Sequence, residues 1–366
     1  MQSMKKLKEL QTREDLALYL TIPLQKLTYI LYKSKPDSYY DTFEIPKKNG
    51  ESRQIHAPSG DLKQLQKKLA QRLWDVYREF IEENEIQDNI SHAFQKGKSI
   101  ITNANIHRNK RYVLNLDLKD FFDHFHFGRV RGFFMKNKNF ELPVEIATMI
   151  AQLTCYEGKL PQGAPTSPII TNLVCNILDM RLLKIAKKYR VVYTRYADDM
   201  TFSTNDKKFL ENQENFMKSI KKEIESFGFE INDKKTRLLF CDSRQEVTGL
   251  VVNKKISVNR EYCKRTRAMA DAFYRRGIFE ICGEEGSVNQ LEGRFSFINQ
   301  IDCYNNKNDR EQKHTFWTLN ARERQYQKFL FFKYFYANTK PLIVTEGKTD
   351  IVYLRAALKK YYKEYP

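Results

Sequence analysis

The chain has 366 residues, with 63 Lys and Arg against 45 Asp and Glu, and its formal charge of +18 suits a polyanionic partner such as a nucleic acid. No apolar run approaches bilayer length, no apolar signal segment opens the chain, and the six cysteines (155, 175, 241, 263, 282 and 303) include no CxxC pair. Those features set aside a membrane protein and a disulfide-framed secreted one, and make a reduced cytoplasm the expected setting.

Thr12-Arg13-Glu14-Asp15 reads as a helix start before Leu16, Leu18, Tyr19 and Leu20, and Pro23 precedes a second helix through Tyr32. Lys47 and Arg53 flank a turn with Asn49-Gly50 at its tip, a spacing that fits either a hairpin arranging two cations around a triphosphate or a solvated charged hairpin. A helix is expected over Leu62 to Glu83. Asn103-Ala104-Asn105-Ile106-His107 follows; a lone histidine here is expected to be a hydrogen-bonded packing residue that shapes a binding region rather than one that reacts.

Arg111 to Leu118 reads as a buried strand that places the carboxylate of Asp117 at its end, running into a helix-like Lys119 to Phe125. Asp120 and Asp123 fit helix-start or surface acids, and Phe122 on its own fits an ordinary core ring. His124 and His126 lack metal-ligand spacing. In Leu160-Pro161-Gln162-Gly163-Ala164-Pro165-Thr166-Ser167-Pro168, the glycine allows a close backbone approach.

The most informative stretch is Tyr196-Ala197-Asp198-Asp199, between the β-prone runs Val191 to Tyr196 and Met200 to Thr204. A strand, tight turn and strand put both acids at a hairpin tip, where they repel each other unless a cation sits between them. Asp117 from a strand end, with Asp198 and Asp199 from a neighbouring tip, is a set that can hold two Mg²⁺ for in-line phosphoryl transfer. Phe209, Leu210, Phe216, Ile220 and Ile224 then recur at helical spacing before Gly228, a C-cap signal.

From Asn253 to Lys340 there are seventeen Lys or Arg and ten Asp or Glu, interleaved with aromatic residues. That pattern reads as helices gripping a duplex, with the run Phe329 to Tyr336 expected mainly to pack between helices. Gly283 to Ser287 and Asn305 to Arg310 read as exposed loops.

These boxes carry a family resemblance. Leu116 to Phe122, Leu160 to Pro168, Tyr196 to Asp199 and Gly228 to Thr236 resemble motifs A, B, the YxDD box and motif D of reverse transcriptases, and Ile45 to Arg53 resembles their fingers motif. Asn103 to His107 and Val247-Thr248-Gly249 are similar to the NAxxH and VTG boxes of retron enzymes, and Pro341 to Asp350 looks like the first strand and acidic turn of a Toprim domain. The later Toprim acids are absent, so Glu346 and Asp350 are expected to belong to a truncated remnant without nuclease activity.

The resemblance implies an α+β right-hand polymerase: an N-terminal helical segment (1–35), fingers (36–110), a palm of antiparallel sheet and helices (111–253), a helical thumb (254–340) and an incomplete Toprim-like part (341–366). It implies Asp117, Asp198 and Asp199 as catalytic residues holding two Mg²⁺, with Asp199 the less direct. Lys47, Arg53, Phe122, Gln162, Gly163 and Lys235 would bind the dNTP, Phe122 policing the sugar; Lys235 would protonate pyrophosphate, with Lys234 beside it an alternative. Asn103, His107, Val247, Thr248 and Gly249 would serve RNA binding.

The implied reaction starts from a 2′-hydroxyl in a structured msr-msd type noncoding RNA and gives a branched RNA–DNA product (msDNA), in an antiphage setting with a separate effector protein or a fused Toprim effector. Alternatives are a reverse transcriptase of group II intron or diversity-generating lineage, distinguished by the RNA encoded upstream, and a noncatalytic RNA-binding scaffold, distinguished by tight RNA binding without primer extension.

Overall fold

The computed structural model describes residues 2–46, 50–83, 88–308, 315, 317–338 and 340–362. Lys47 therefore lies outside the described residues. By internal contacts the chain divides into a unit of residues 1–256 and a unit of residues 257–366.

The first unit opens with helices α1 (Gln2–Lys8), α2 (Arg13–Tyr19) and α3 (Leu24–Thr28), the last continuing as a π turn over Tyr29–Lys33. The expected start of α2 forms as a capping box: the Asp15 amide donates to Thr12 Oγ1 at 3.2 Å and the Thr12 amide to Asp15 Oδ2 at 2.9 Å. Strands β1 (Tyr40–Pro46) and β2 (Ser52–Pro58) pair as an antiparallel hairpin, followed by α4 (Gly60–Glu83), which buries Leu62, Leu65, Leu69, Leu73 and Val76 along one stripe. Next come α5 (Ile100–Ile106), β3 (Tyr112–Asp117), α6 (Phe127–Lys136), α7 (Val144–Thr154), α8 (Ser167–Lys188), β4 (Val192–Tyr196), β5 (Asp199–Thr204), α9 (Phe209–Ser226), β6 (Arg237–Phe240) and the short hairpin β7 (Glu246–Val247) and β8 (Leu250–Val251).

The central sheet has the order β4-β5-β3-β6, antiparallel throughout. Side chains alternate between its faces. Leu114, Leu116, Tyr193, Met200 and Phe202 join the core; Phe202 packs edge-on against Phe216 of α9 at 5.4 Å, and the Tyr193 hydroxyl donates to Asp179 of α8 at 2.8 Å. The other face carries Asn115, Asp117, Thr194, Asp199, Thr201 and Ser203, a polar stripe leading back from the acids.

Several expectations need correction. Lys119 to Phe125 makes only a 3₁₀ turn, Phe121–His124, because Asp120 before it sits in the left-handed region (φ +44°). Leu210 is exposed while Phe209, Phe216, Ile220 and Ile224 are buried, since Leu210 falls on the outer side of α9.

The second unit holds α10 (Arg260–Arg276), the hairpin β9 (Glu280–Ile281) and β10 (Glu284–Glu285), α11 (Val288–Asn308), α12 (Ala321–Phe331) and α13 (Lys348–Tyr361). Ala270, Phe273, Phe279, Leu291, Phe295 and Phe329 form its core. Two expected loops are partly ordered: Glu284 and Glu285 pair with β9, and α11 runs through Asn308. Of the run Phe329 to Tyr336, Phe329 is fully buried, whereas Phe331, Tyr334, Phe335 and Tyr336 are exposed. Among the described residues nothing pairs with 341–345, which form no strand; Asp350 accepts from the Gly347 amide at 3.0 Å to cap α13, and Glu346 is exposed. Among the described residues no helix is long and apolar enough to cross a membrane.

Candidate active site

Strand pairing builds the acidic site. Asp117 at the end of β3 lies directly opposite Asp199 at the start of β5, so both carboxylates emerge on one face of the sheet. Asp198 occupies the β4–β5 turn, where Ala197 takes a left-handed φ of +57°, and its carbonyl accepts from the Leu118 amide at 3.1 Å. That bond closes the hairpin tip against the end of β3.

Motif D supplies the counter-charge. The Asn232 amide donates to the Asp117 carbonyl at 2.8 Å and the Lys119 amide to the Glu230 carbonyl at 2.9 Å, which lays Glu230–Asn232 alongside residues 117–119. A turn in which the Lys235 amide donates to the Asn232 carbonyl at 3.0 Å then swings Lys235 over the site. Its Nζ donates to both oxygens of Asp117, at 3.1 and 3.0 Å. Lys234 and Lys235 are both largely exposed, and it is Lys235 that bonds Asp117.

The electrostatics follow from crowding. Asp198 is pushed above the usual carboxylate range by burial first and Asp117 second, with Lys235 and Arg53 pulling it down. Asp199 keeps an exposed edge, but protein surrounds it elsewhere; that desolvation, then Asp198 and Asp117, raises it to about 7. The hydrogen bond to Asp117 raises Lys235.

Three mutually repelling carboxylates with a single lysine between them are hard oxygen donors short of positive charge, the chemistry that suits Mg²⁺. They do not stand as a ready cage: among the described residues no group of three His, Cys, Asp or Glu side chains is poised to hold a metal. The ammonium of Lys235 engages both oxygens that Asp117 would offer an ion.

Around this centre, Arg53 on β2 is exposed and its charge reaches Asp198. Phe122 is half-buried, its ring edge-on to Phe121 at 5.4 Å. Gln162 and Gly163 meet the β1–β2 hairpin: the His56 amide donates to the Gln162 carbonyl at 2.9 Å, and a Cβ on Gly163 would lie 2.8 Å from Ile55 Cγ2 and 3.0 Å from the His56 carbonyl oxygen. Glycine is thus required at position 163 by the close approach of β2.

The expected RNA-contacting set separates. Asn103, His107 and Val247 are each 0% exposed, so their side chains offer RNA no surface; Thr248 is half-buried and Gly249 exposed.

Two functional features lay outside the sequence reading. Arg195 on β4 is fully buried with Asp179 of α8: its Nε donates to Asp179 Oδ1 at 2.9 Å, its Nη2 to Oδ2 at 2.8 Å, and its Nη1 to the Ala197 carbonyl at 3.2 Å. It therefore ties the core to the turn that carries Asp198. Arg129 spans the rings of Phe227 and Phe229, 4.5 and 4.7 Å from their centroids, and its Nη2 donates to the Phe227 carbonyl at 2.6 Å, fixing the end of α9. The only sequence signal for Arg195 was a cation at an alternating, inward position of an apolar strand.

Comparison with known proteins agrees with these boxes. Residues 45–265 match the family model described as reverse transcriptase (RNA-dependent DNA polymerase). The chain is 33% identical over 291 residues to the retron Ec86 reverse transcriptase of Escherichia coli, covering 79% of this chain and 84% of that protein. It is 32% identical over 326 residues to the retron Mx162 reverse transcriptase of Myxococcus xanthus, covering 81% of this chain and 65% of that one. To the retron Mx65 reverse transcriptase of the same organism it is 34% identical over 276 residues, covering 71% and 62%. Among solved structures, a Candida albicans telomerase bound to a fragment of telomeric RNA aligns over 82% of this chain and 61% of that one, at 11% identity and a TM-score of 0.43.

Proposed function

This chain belongs to the retron reverse transcriptases, and from that premise we propose that it is an RNA-directed DNA polymerase that copies part of a cognate structured RNA from a 2′-hydroxyl primer, leaving DNA joined to RNA. The observation that carries the reading is the register of Asp117 opposite Asp199, with Asp198 at the adjoining tip. Asp117 and Asp198, assisted by Asp199, are the residues that would hold two Mg²⁺. Bound there, the ions would lower the pKa of the primer hydroxyl and neutralise charge on the departing pyrophosphate.

The chain's own groups account for the remaining tasks. Lys235, whose ammonium bonds Asp117, hands a proton to pyrophosphate in this reading. Arg53, with Lys47 six residues before it in the sequence, attracts the triphosphate. Phe122, five residues beyond Asp117, meets a ribose 2′-hydroxyl with a ring and so favours deoxynucleotides. Gln162 and Gly163, seated on β2, fix the floor under the base pair.

In this reading residues 36–110 are fingers, 111–253 palm and 254–340 a basic thumb that grips the duplex; 341–366 is the start of a Toprim-like part. The RNA is of msr-msd type, the product is msDNA, the setting is cytoplasmic antiphage defence, and an effector acts downstream. The test is Asp198→Asn assayed for Mg²⁺-dependent dNTP incorporation on the RNA that co-purifies with the protein. Loss of synthesis with RNA retained is expected, and undiminished synthesis defeats the assignment. A 2′,5′ branch in the co-purified nucleic acid is expected as well.

A further inference from the structure

The NAxxH and VTG boxes meet inside the protein. His107 caps the C-terminal end of α5, and its Nδ1 and Nε2 lie 2.7 Å from Ser203 Oγ and 2.7 Å from Thr194 Oγ1. Thr194 donates its one proton to Asn103 Oδ1 at 2.6 Å. Its oxygen must then accept from Nε2–H, which leaves Nδ1 to accept from Ser203, so the four groups form a one-way chain across β5, α5 and β4. Burial pushes His107 well below the ordinary imidazole range, which favours the neutral ring that this one-way chain requires.

A second tie reaches the same strand: the His92 ring contacts Thr102 of α5 at 2.9 Å, and the His92 amide donates to the Arg195 carbonyl at 2.9 Å. The VTG turn completes the arrangement. Thr248 (φ +47°) and Gly249 (φ +78°) form the two-residue tip of β7–β8, and Thr248 Oγ1 donates to the Ile100 carbonyl of α5 at 3.3 Å. Behind it, Asn115 Nδ2 donates to the Glu246 carbonyl at 2.7 Å while Asn115 Oδ1 accepts from Thr201 at 3.1 Å. Asn115, Thr194, Thr201 and Ser203 share the sheet face of Asp117 and Asp199. The hairpin is therefore held on its acidic face by His107 and on its core face by Arg195.

We propose that His107 is a positioning residue for nucleotide transfer: its two ring nitrogens lock β4 to β5 behind Asp198 and Asp199, and the NAxxH box and VTG turn together form one brace for that hairpin. The proposal rests on the reading of Asp117, Asp198 and Asp199 as the polymerising centre. A brace acts on the geometry of the reacting groups, so its loss lowers kcat and leaves substrate and RNA binding in place.

The test compares His107→Phe, Thr194→Val and Thr194→Ser in the full chain. For His107→Phe and Thr194→Val, kcat on a poly(rA)/oligo(dT) duplex falls about ten- to a hundred-fold, with the KM for dTTP and the Kd for the co-purifying RNA within about twofold of wild type; Thr194→Ser, which keeps the hydroxyl, retains kcat. Hydrogen exchange, which needs no catalysis, accelerates about tenfold or more over residues 192–204 in the first two variants and is unchanged over α4. If His107→Phe fails to fold, the two Thr194 variants decide. Unchanged kcat in the folded variants, a loss confined to RNA affinity, or unchanged exchange over 192–204 overturns the brace. A wild-type protein that incorporates no nucleotide defeats the polymerase reading instead, and the exchange result still decides whether His107 holds the hairpin.

Discussion

Arg195 and Asp179 form a fully buried ion pair directly beneath the turn that carries Asp198. Tyr193 and Asn172 complete the shell around it, the Tyr193 hydroxyl donating to Asp179 Oδ1 at 2.8 Å and Arg195 Nη2 to Asn172 Oδ1 at 3.4 Å. Removing one member strands a charge inside the core. Arg195→Met is expected to destabilise the protein by about 3–5 kcal/mol in urea unfolding, and Arg195→Met with Asp179→Leu to recover most of that loss. Nucleotide incorporation by the double variant stays low, because no guanidinium N–H remains to hold the Ala197 carbonyl. Full recovery of both would show that the pair serves stability alone.

The acidic hairpin and the strand ending at Asp117 were legible in the sequence because both are local: a two-residue alternation, a tight turn and an acid at the strand end. The capping box at Thr12 was legible for the same reason. Arg195 and Asp179 were not, because a cation and an acid sixteen residues apart look like surface charges until α8 folds across the sheet. Likewise nothing local told that Asn103 and His107 point inward, since their partners Thr194 and Ser203 lie more than eighty residues away in sequence. The choice between Lys234 and Lys235 needed the turn at Asn232, and the reason for Gly163 needed the position of Ile55.

In the protein stripped of divalent ions, the contribution of Asp199 to stability should fall as pH rises, opposite in sign to that of buried His107, whose lowered pKa adds stability as pH rises toward the ordinary imidazole value. Asp199 sits at about 7 in the fold against an ordinary carboxylate value when unfolded, so the folded state binds the proton more tightly. Its stabilising contribution is complete below about pH 4 and is lost as pH rises through about 7. Asp198, also raised, acts in the same direction. With its exposed edge screened by solvent, Asp199 should contribute about 1 kcal/mol. Asp199→Asn removes that component, so the difference between wild-type and variant thermal melts should change with pH between about 4 and 8. A slope unchanged in that variant would place the titrating group elsewhere.

Gly163 holds a φ of +120° and has no room for a side chain against Ile55 and His56. Gly163→Ala should destabilise by about 1–3 kcal/mol through strain and displacement of the β1–β2 hairpin. Ile55→Ala in the same chain relieves only one of the two close contacts, since the His56 carbonyl remains, so partial rescue is expected. Complete rescue would show that the backbone conformation costs little.

Lys235 offers the sharpest electrostatic test, because its ammonium faces all three acids while bonding one of them. Its positive charge lowers both Asp198 and Asp199. Lys235→Met removes that charge without removing a carboxylate, so the metal-free acids should hold their protons to higher pH. The loss of their contribution still begins near pH 4, where the unfolded carboxyls release their protons, but it continues above about pH 7. Added Mg²⁺ supplies the missing charge and brings the variant's pH profile back toward that of the wild type. Carboxyl carbon NMR titration of the metal-free variant reads the shift directly. A titration identical to wild type would mean that the lysine seated on Asp117 has no electrostatic hold on the hairpin acids.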